Sequence, residues 1–218
     1  MLAVEQRPVS RDELGDAVWG EDLPRTWETA LRGAVHQLRR AAASIGLDEA
    51  EVVRTAFGCY QLDPDIEVDV VHAAVDVEAA ERALAAGDPE AARAAAERAT
   101  SALAEPFLAG LEGEWIEDVR RRLLPLRGRA VLTLSASCTA CGDHSAAVAA
   151  ARAAVEVDPI DERAHRQLMT AHAAAGDRSA ALVAYRRCRE LLTDELGLLP
   201  SEQSEVLRRS VAEEGRSA

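Results

Sequence analysis

The chain has 218 residues, room for one or two domains with a substantial core, and about a fifth of them are alanine against 3% aromatic, a balance that favours small-residue helix packing over a β-rich interior. Its net charge is −13 and it contains no lysine, which excludes nucleic-acid binding by bulk charge and leaves any DNA contact to the placement of individual arginines. No apolar run approaches the roughly 18 residues of a membrane span, and Glu5 and Arg7 follow Met1–Val4 directly, which argues against a secretory signal; a cytoplasmic protein with no membrane partner is expected.

In chain order, Ser10-Arg-Asp-Glu13 is a capping box that starts a short helix at Arg11, with Leu14 and Val18 on one face and Gly20 at its end. Thr26 is placed to cap a second, longer helix. Trp27, Leu31, Val35, Leu38 and Ala42 recur in it at helical spacing and form a buried stripe. The opposite face carries Thr29, Arg32, Gly33, His36, Gln37 and Arg40 as one polar strip about three turns long. Arg, His, Gln and Thr can donate to phosphates or read base edges, and glycine permits close backbone approach. Taken alone, the strip is more simply a solvated helix face. The segment after the helix favours DNA contact: Val52–Thr55, a turn at Ala56-Phe-Gly58, and Cys59–Leu62 read as a β-hairpin. Two helices and then a hairpin is the order of a winged helix-turn-helix, in which the second helix enters the major groove and the hairpin tip flanks the minor groove or backbone. Residues 1 to 69 nevertheless hold seven Arg against fourteen acids.

Beyond an acidic stretch, Asp63 to Asp69, the chain reads as helices. Asp69–Ala86 and Pro89–Leu103 form an antiparallel pair joined at Gly87-Asp88-Pro89. A loop from Pro106 to Gly113 precedes a long helix from Glu114 towards Cys141, with Pro125 expected to kink it or to mark a restart. Arg120, Arg121, Arg122, Arg127 and Arg129 make the densest positive cluster, but Glu112, Glu114, Glu117 and Asp118 lie close in sequence, so an ion-paired surface is expected. GDHSAA from Gly142 and GDRSAA from Gly176 begin 34 residues apart, the period of the tetratricopeptide repeat. Ala147, Ala154, Pro159, Ala181 and Tyr185 then occupy the small, proline and large positions of that repeat. GDPEAA at Gly87 lies 55 residues before Gly142, off the period, and is assigned to a longer, less regular helical stretch. The fold class expected is mostly α: a partial winged helix in residues 1–66, then a tetratricopeptide-like helical bundle in residues 67–218.

PVSRDELGDAVWGED, LRGAVHQLRRAA and FGCYQL resemble the winged-helix domain of the Streptomyces antibiotic regulatory protein family. The segment YRRCRELLTDELGLLPSEQ, Tyr185 to Gln203, resembles the close of that family's bacterial transcriptional activator domain. The resemblance covers nearly the whole chain. It implies a transcriptional regulator, usually an activator, bound to double-stranded promoter DNA, with a helical domain for self-association as a homodimer or contact with RNA polymerase. It puts Thr29, Arg32, His36, Gln37 and Arg40 on the recognition helix and Arg54 and Phe57 near the wing, with Arg39 in a backbone or inter-domain contact. The family's domain opens with a small sheet and a full first helix, of which Met1–Glu5 supply only a last turn. The stripe of Leu14, Val18, Leu31, Val35 and Leu38 is therefore expected to be loosely packed or docked elsewhere, and the start to be truncated or the domain reduced. Loss of DNA binding, leaving a protein-interaction module, is the alternative.

No nucleophile elbow, P-loop, G-x-G-x-x-G or H-E-x-x-H motif occurs, so no enzyme and no cofactor is expected. Cys138-Thr-Ala-Cys141 with His144 falls short of a zinc ligand set and reads as two small buried thiols. His165 and His172, seven residues apart, share an inward face.

Overall fold

The structure, a computed structural model, describes residues 1–48 and 51–213. Helices dominate, as the alanine content requires. They fall into two compact units, Met1–His72 with Glu105–Arg122, and Ala73–Ala104 with Leu123–Ala218.

The first unit has the winged-helix order. A single helical turn α1 (Leu2–Glu5) leads to β1 (Val9–Ser10), α2 (Arg11–Trp19), a 3-10 turn at Gly20–Asp22, α3 (Trp27–Ser44) and the hairpin β2 (Val53–Ala56) and β3 (Cys59–Leu62). The capping box closes both ways: the Glu13 amide donates to Ser10 Oγ at 3.1 Å and the Ser10 amide to Glu13 Oε2 at 2.9 Å. Thr26 sits at the start of α3, but its hydroxyl does not cap; its carbonyl instead accepts from the amides of Thr29 and Ala30.

Sequence reasoning missed β1, a strand too short to show alternation. It pairs antiparallel with β3, Val9 opposite Tyr60, in a sheet of order β1-β3-β2. That addition overturns the expectation of a loose stripe. Val9 and Val53 are fully buried, and Leu14, Leu31, Val35 and Tyr60 close around them in one cluster. Each of the larger apolar side chains contributes about 1.5 to 3 kcal/mol by leaving water. Val18 and Leu38 do not join it, being 61% and 48% exposed. Gly15 is the point where α2 meets α3: a Cβ there would lie 3.1 Å from Trp27 Cε3.

The second unit is a stack of helix pairs: α4 (Asp69–Ala85) from Ala73 on, α5 (Pro89–Ala102), α6 (Glu114–Ala140) from Leu123 on, α7 (His144–Val157), α8 (Glu162–Ala174), α9 (Arg178–Leu196) and α10 (Glu202–Glu213). α6 runs through Pro125 without a restart. Alanines at the crossings, Ala92, Ala96, Ala147, Ala151 and Ala181, are completely buried, which lets the backbones approach closely. Buried Ser135 ties three helices together, its hydroxyl donating to the Ala147 carbonyl at 2.8 Å and accepting from Gln167 Nε2 at 3.0 Å.

Gly87 belongs to the repeat after all. At Gly87-Asp88, Gly142-Asp143 and Gly176-Asp177 the glycine has φ near 80° and the aspartate amide donates to a carbonyl five residues back. The aspartate carboxylate then caps the next helix, accepting from Ala91, Ala146 and Ala180 at 3.0, 3.1 and 2.9 Å. The period breaks only because the connection at 103–113 and the longer α6 lie between the first copy and the second.

Candidate nucleic-acid interface

α3 presents the predicted strip outward. Thr29, Arg32, Gly33, His36, Gln37 and Arg40 are all exposed, while Leu31, Val35 and Ala42 on the other side hold the helix to the core. A Cβ added at Gly33 would meet nothing within 4 Å, so the strip has open space at its middle. Arg32 reaches only Thr29 Oγ1, at 3.5 Å, and His36, Gln37 and Arg40 make no hydrogen bond or ion pair with described residues.

The neighbouring arginines are committed to the fold. Arg39 donates through Nε to the Val53 carbonyl at 3.1 Å, and through Nη2 to the same carbonyl and to Thr55 Oγ1 at 2.9 Å. It ties α3 to β2, a role assigned neither to the DNA backbone nor to another domain. Arg54, predicted at the wing, is exposed but paired with Asp63 at 3.2 Å. The hairpin register could have revealed that pair, since Arg54 stands opposite Gln61 and Asp63 is its diagonal neighbour. Arg7 is held by Glu13 at 2.7 Å; this bond, with those from Ser10, pushes the Glu13 carboxyl down to about 2. Sequence reasoning passed over Arg25, which lies exposed just ahead of α3 with no ion pair among the described residues.

The wing is a two-residue turn. Phe57 and Gly58 have φ of 51° and 78°, the pair of positive values that lets a tight hairpin keep its natural twist. Glycine takes this conformation freely; phenylalanine does not, and its ring is fully exposed at the tip.

Four of the five arginines of the other cluster are ion-paired, in line with the expectation, and Arg127 makes no ion pair with described residues. Arg120 pairs with Glu117, Arg121 with Asp118, Arg122 with Glu5 and Arg129 with Glu81. Arg120 also donates to the carbonyls of Phe107, Leu108 and Leu111, fixing the loop before α6. The buried histidines are packing groups: His165 Nε2–H donates to the Pro159 carbonyl at 2.9 Å, and burial pushes His172 below its ordinary value. Burial likewise raises the Cys138 thiol, and desolvation together with Glu90 raises Cys141. Among the described residues no three His, Cys, Asp or Glu side chains are grouped as metal ligands.

A winged helix with an open polar strip, in one chain with a tetratricopeptide-like bundle, defines a class of modular binding protein. Residues 68–212 match the bacterial transcriptional activator domain, and the chain belongs to that family. Regulatory protein AfsR of Streptomyces coelicolor is 31% identical over 213 residues, covering 97% of this chain and 21% of AfsR. Transcriptional regulatory protein EmbR of Mycobacterium tuberculosis is 29% identical over 214 residues, covering 97% of this chain and 55% of EmbR. The solved structure of Mycobacterium tuberculosis EmbR in complex with a low affinity phosphopeptide matches with a TM-score of 0.86 at 28% identity, over 98% of this chain and 57% of the EmbR chain. The chain thus spans about a fifth of AfsR and about half of EmbR.

Proposed function

We propose that this chain is the DNA-reading and partner-binding part of a transcriptional regulator. Residues 1–66 are the DNA-facing part: α3 enters the major groove with Thr29, Arg32, His36, Gln37 and Arg40, and the wing brings Arg54 and Phe57 to the flanking backbone or minor groove. Residues 67–218 supply self-association or contact with RNA polymerase. One observation carries the reading. In a segment with twice as many acids as bases, Arg7, Arg39 and Arg54 are bound within the fold, whereas Arg32, His36 and Arg40 stand on one exposed helix face with no carboxylate partner among the described residues. The relatives, both regulators by name, support it.

Anisotropy against DNA from the gene's own upstream region, repeated over a salt series, tests it. Binding is expected, with log K falling linearly against log salt, and Arg32→Ala with Arg40→Ala is expected to flatten the slope by about two. A folded chain that binds no DNA at low salt would overturn the proposal. The local excess of acids, Glu28 on the first turn of α3 included, would then favour a protein-interaction module without DNA binding.

A further inference from the structure

The second unit holds a groove that the DNA-facing reading does not use. Alternate helices of the stack line one side of it, here α4, α6 and α8, with Leu207 of α10 at the end. Arg163, Arg166, Gln167 and Thr170 of α8 recur at spacings of three, one and three and so share one face, and that face lines a depression of about 450 Å³ opposite Glu81 of α4 and Thr133 of α6. A second depression of about 260 Å³ adjoins it, sharing Leu132 and Arg163, with an apolar wall of Leu124, Pro125 and Val157.

The charge balance selects the occupant. The net charge of the chain is −13. The larger depression reverses that sign, with two guanidiniums against a single carboxylate. That carboxylate, Glu81, is already held through both oxygens by Arg129, at 2.9 and 2.6 Å. Arg163 is exposed and makes no hydrogen bond or ion pair with described residues. Arg166 reaches Ser204 Oγ only at 3.4 Å and Glu162 at 3.7 Å, while Glu162 accepts two closer bonds, both 2.7 Å, from Ser201. The two aspartates at the smaller depression are committed to backbone amides, Asp158 to Ile160 at 3.1 Å and Asp161 to Arg163 at 2.8 Å. Guanidinium groups on a concave, partly apolar surface suit carboxylates, which they bind through paired N–H donors. A depression of this volume admits side chains, not a duplex.

We infer that this groove binds an extended acidic segment of a partner protein, its carboxylates on Arg163 and Arg166 and an apolar side chain against Leu124, Pro125 and Val157. The inference deepens the partner-binding half of the function proposed above and rests on that half.

The test is fluorescence anisotropy of the full chain with a labelled peptide of repeating Glu-Glu-Leu, against a Gln-Gln-Leu control. Only the acidic peptide should bind, more weakly as salt rises. Arg163→Glu should weaken it about tenfold or more with circular dichroism and DNA affinity unchanged, and Arg166→Ala should weaken it less. Equal binding of both peptides, no binding of either, or unchanged affinity in both variants overturns the inference. So does displacement of the peptide by duplex DNA that Arg163→Glu abolishes, which would assign these cations to phosphates. Failure of the DNA reading shows differently, as peptide binding that survives while DNA binding is absent.

Discussion

At the scale of single residues, the side-chain bonds that hold the chain act over very different separations along it. The Ser10–Glu13 box closes over three residues, so spacing alone specifies it. Arg39 meets Val53 and Thr55 only after the chain has turned back, at separations of 14 and 16 residues, and Arg122 meets Glu5 across 117. No helical periodicity encodes such partners. The three Gly-Asp turns allow a sharp comparison. Because Asp88, Asp143 and Asp177 cap their helices at nearly the same distance, Asp→Ala at each should cost about 1 kcal/mol, measurable as a shifted urea midpoint with unchanged slope. A loss at only one site would show that like geometry is not like energy. His172 gives a pH-dependent counterpart. Burial first, and then Arg152, lower its folded value below the ordinary 6.5, so the unfolded state binds its proton more readily. The resulting stability is complete above about pH 6.5 and is lost as pH falls through and below it. The stability of the native chain relative to His172→Gln should therefore decline from pH 7 to pH 5 in thermal melts, and a constant difference would refute the linkage.

At the scale of elements, α2, α5, α7 and α9 are legible because each joins an apolar period to a capping Ser or Asp at its start. β1 has neither, since two residues cannot alternate, and its partner strand lies fifty positions on. Two members of the stripe, Val18 and Leu38, have the right spacing but stay exposed, and next to Leu38 it is the guanidinium of Arg39 that bonds to β2. Two substitutions should separate these roles. Leu38→Ala, at an exposed site, should change stability by less than about 0.5 kcal/mol. Arg39→Ala removes donors from the carbonyl of buried Val53 and from a hydroxyl, at a cost of about 1 to 3 kcal/mol, and should speed hydrogen exchange at the amides of β2 and β3 more than at those of α2. If exchange rises uniformly, Arg39 stabilises the whole unit and does not specifically moor the wing.

At the scale of the whole molecule, the proposed DNA contact would have to be made by a chain of net charge −13. Only a few cations matter, because only those without a carboxylate partner can take a phosphate without first losing an ion pair. Among the described residues of the winged-helix unit, Arg25, Arg32 and Arg40 are the exposed cations of this kind, while Arg11 lies half-buried over the Tyr60 ring, Arg39 is bound to the Val53 carbonyl and Arg54 stands at the wing paired with Asp63. Each phosphate neutralised contributes a slope of about −0.9 in log K against log salt, so three contacts imply about −3. Arg54 supplies the means to check the geometry. An ion pair this exposed on its Arg side contributes little stability, about 0 to 1 kcal/mol, so breaking it should leave the fold in place. Asp63→Asn also keeps the Oδ1 acceptor that receives the Asp65 amide at 3.1 Å. The freed guanidinium should then tighten DNA binding at low salt and steepen the slope by about one. A tighter complex with an unchanged slope would mean that the substitution merely removed a repelling charge. No change in either would place the wing away from the phosphates and leave the contact to α3 alone.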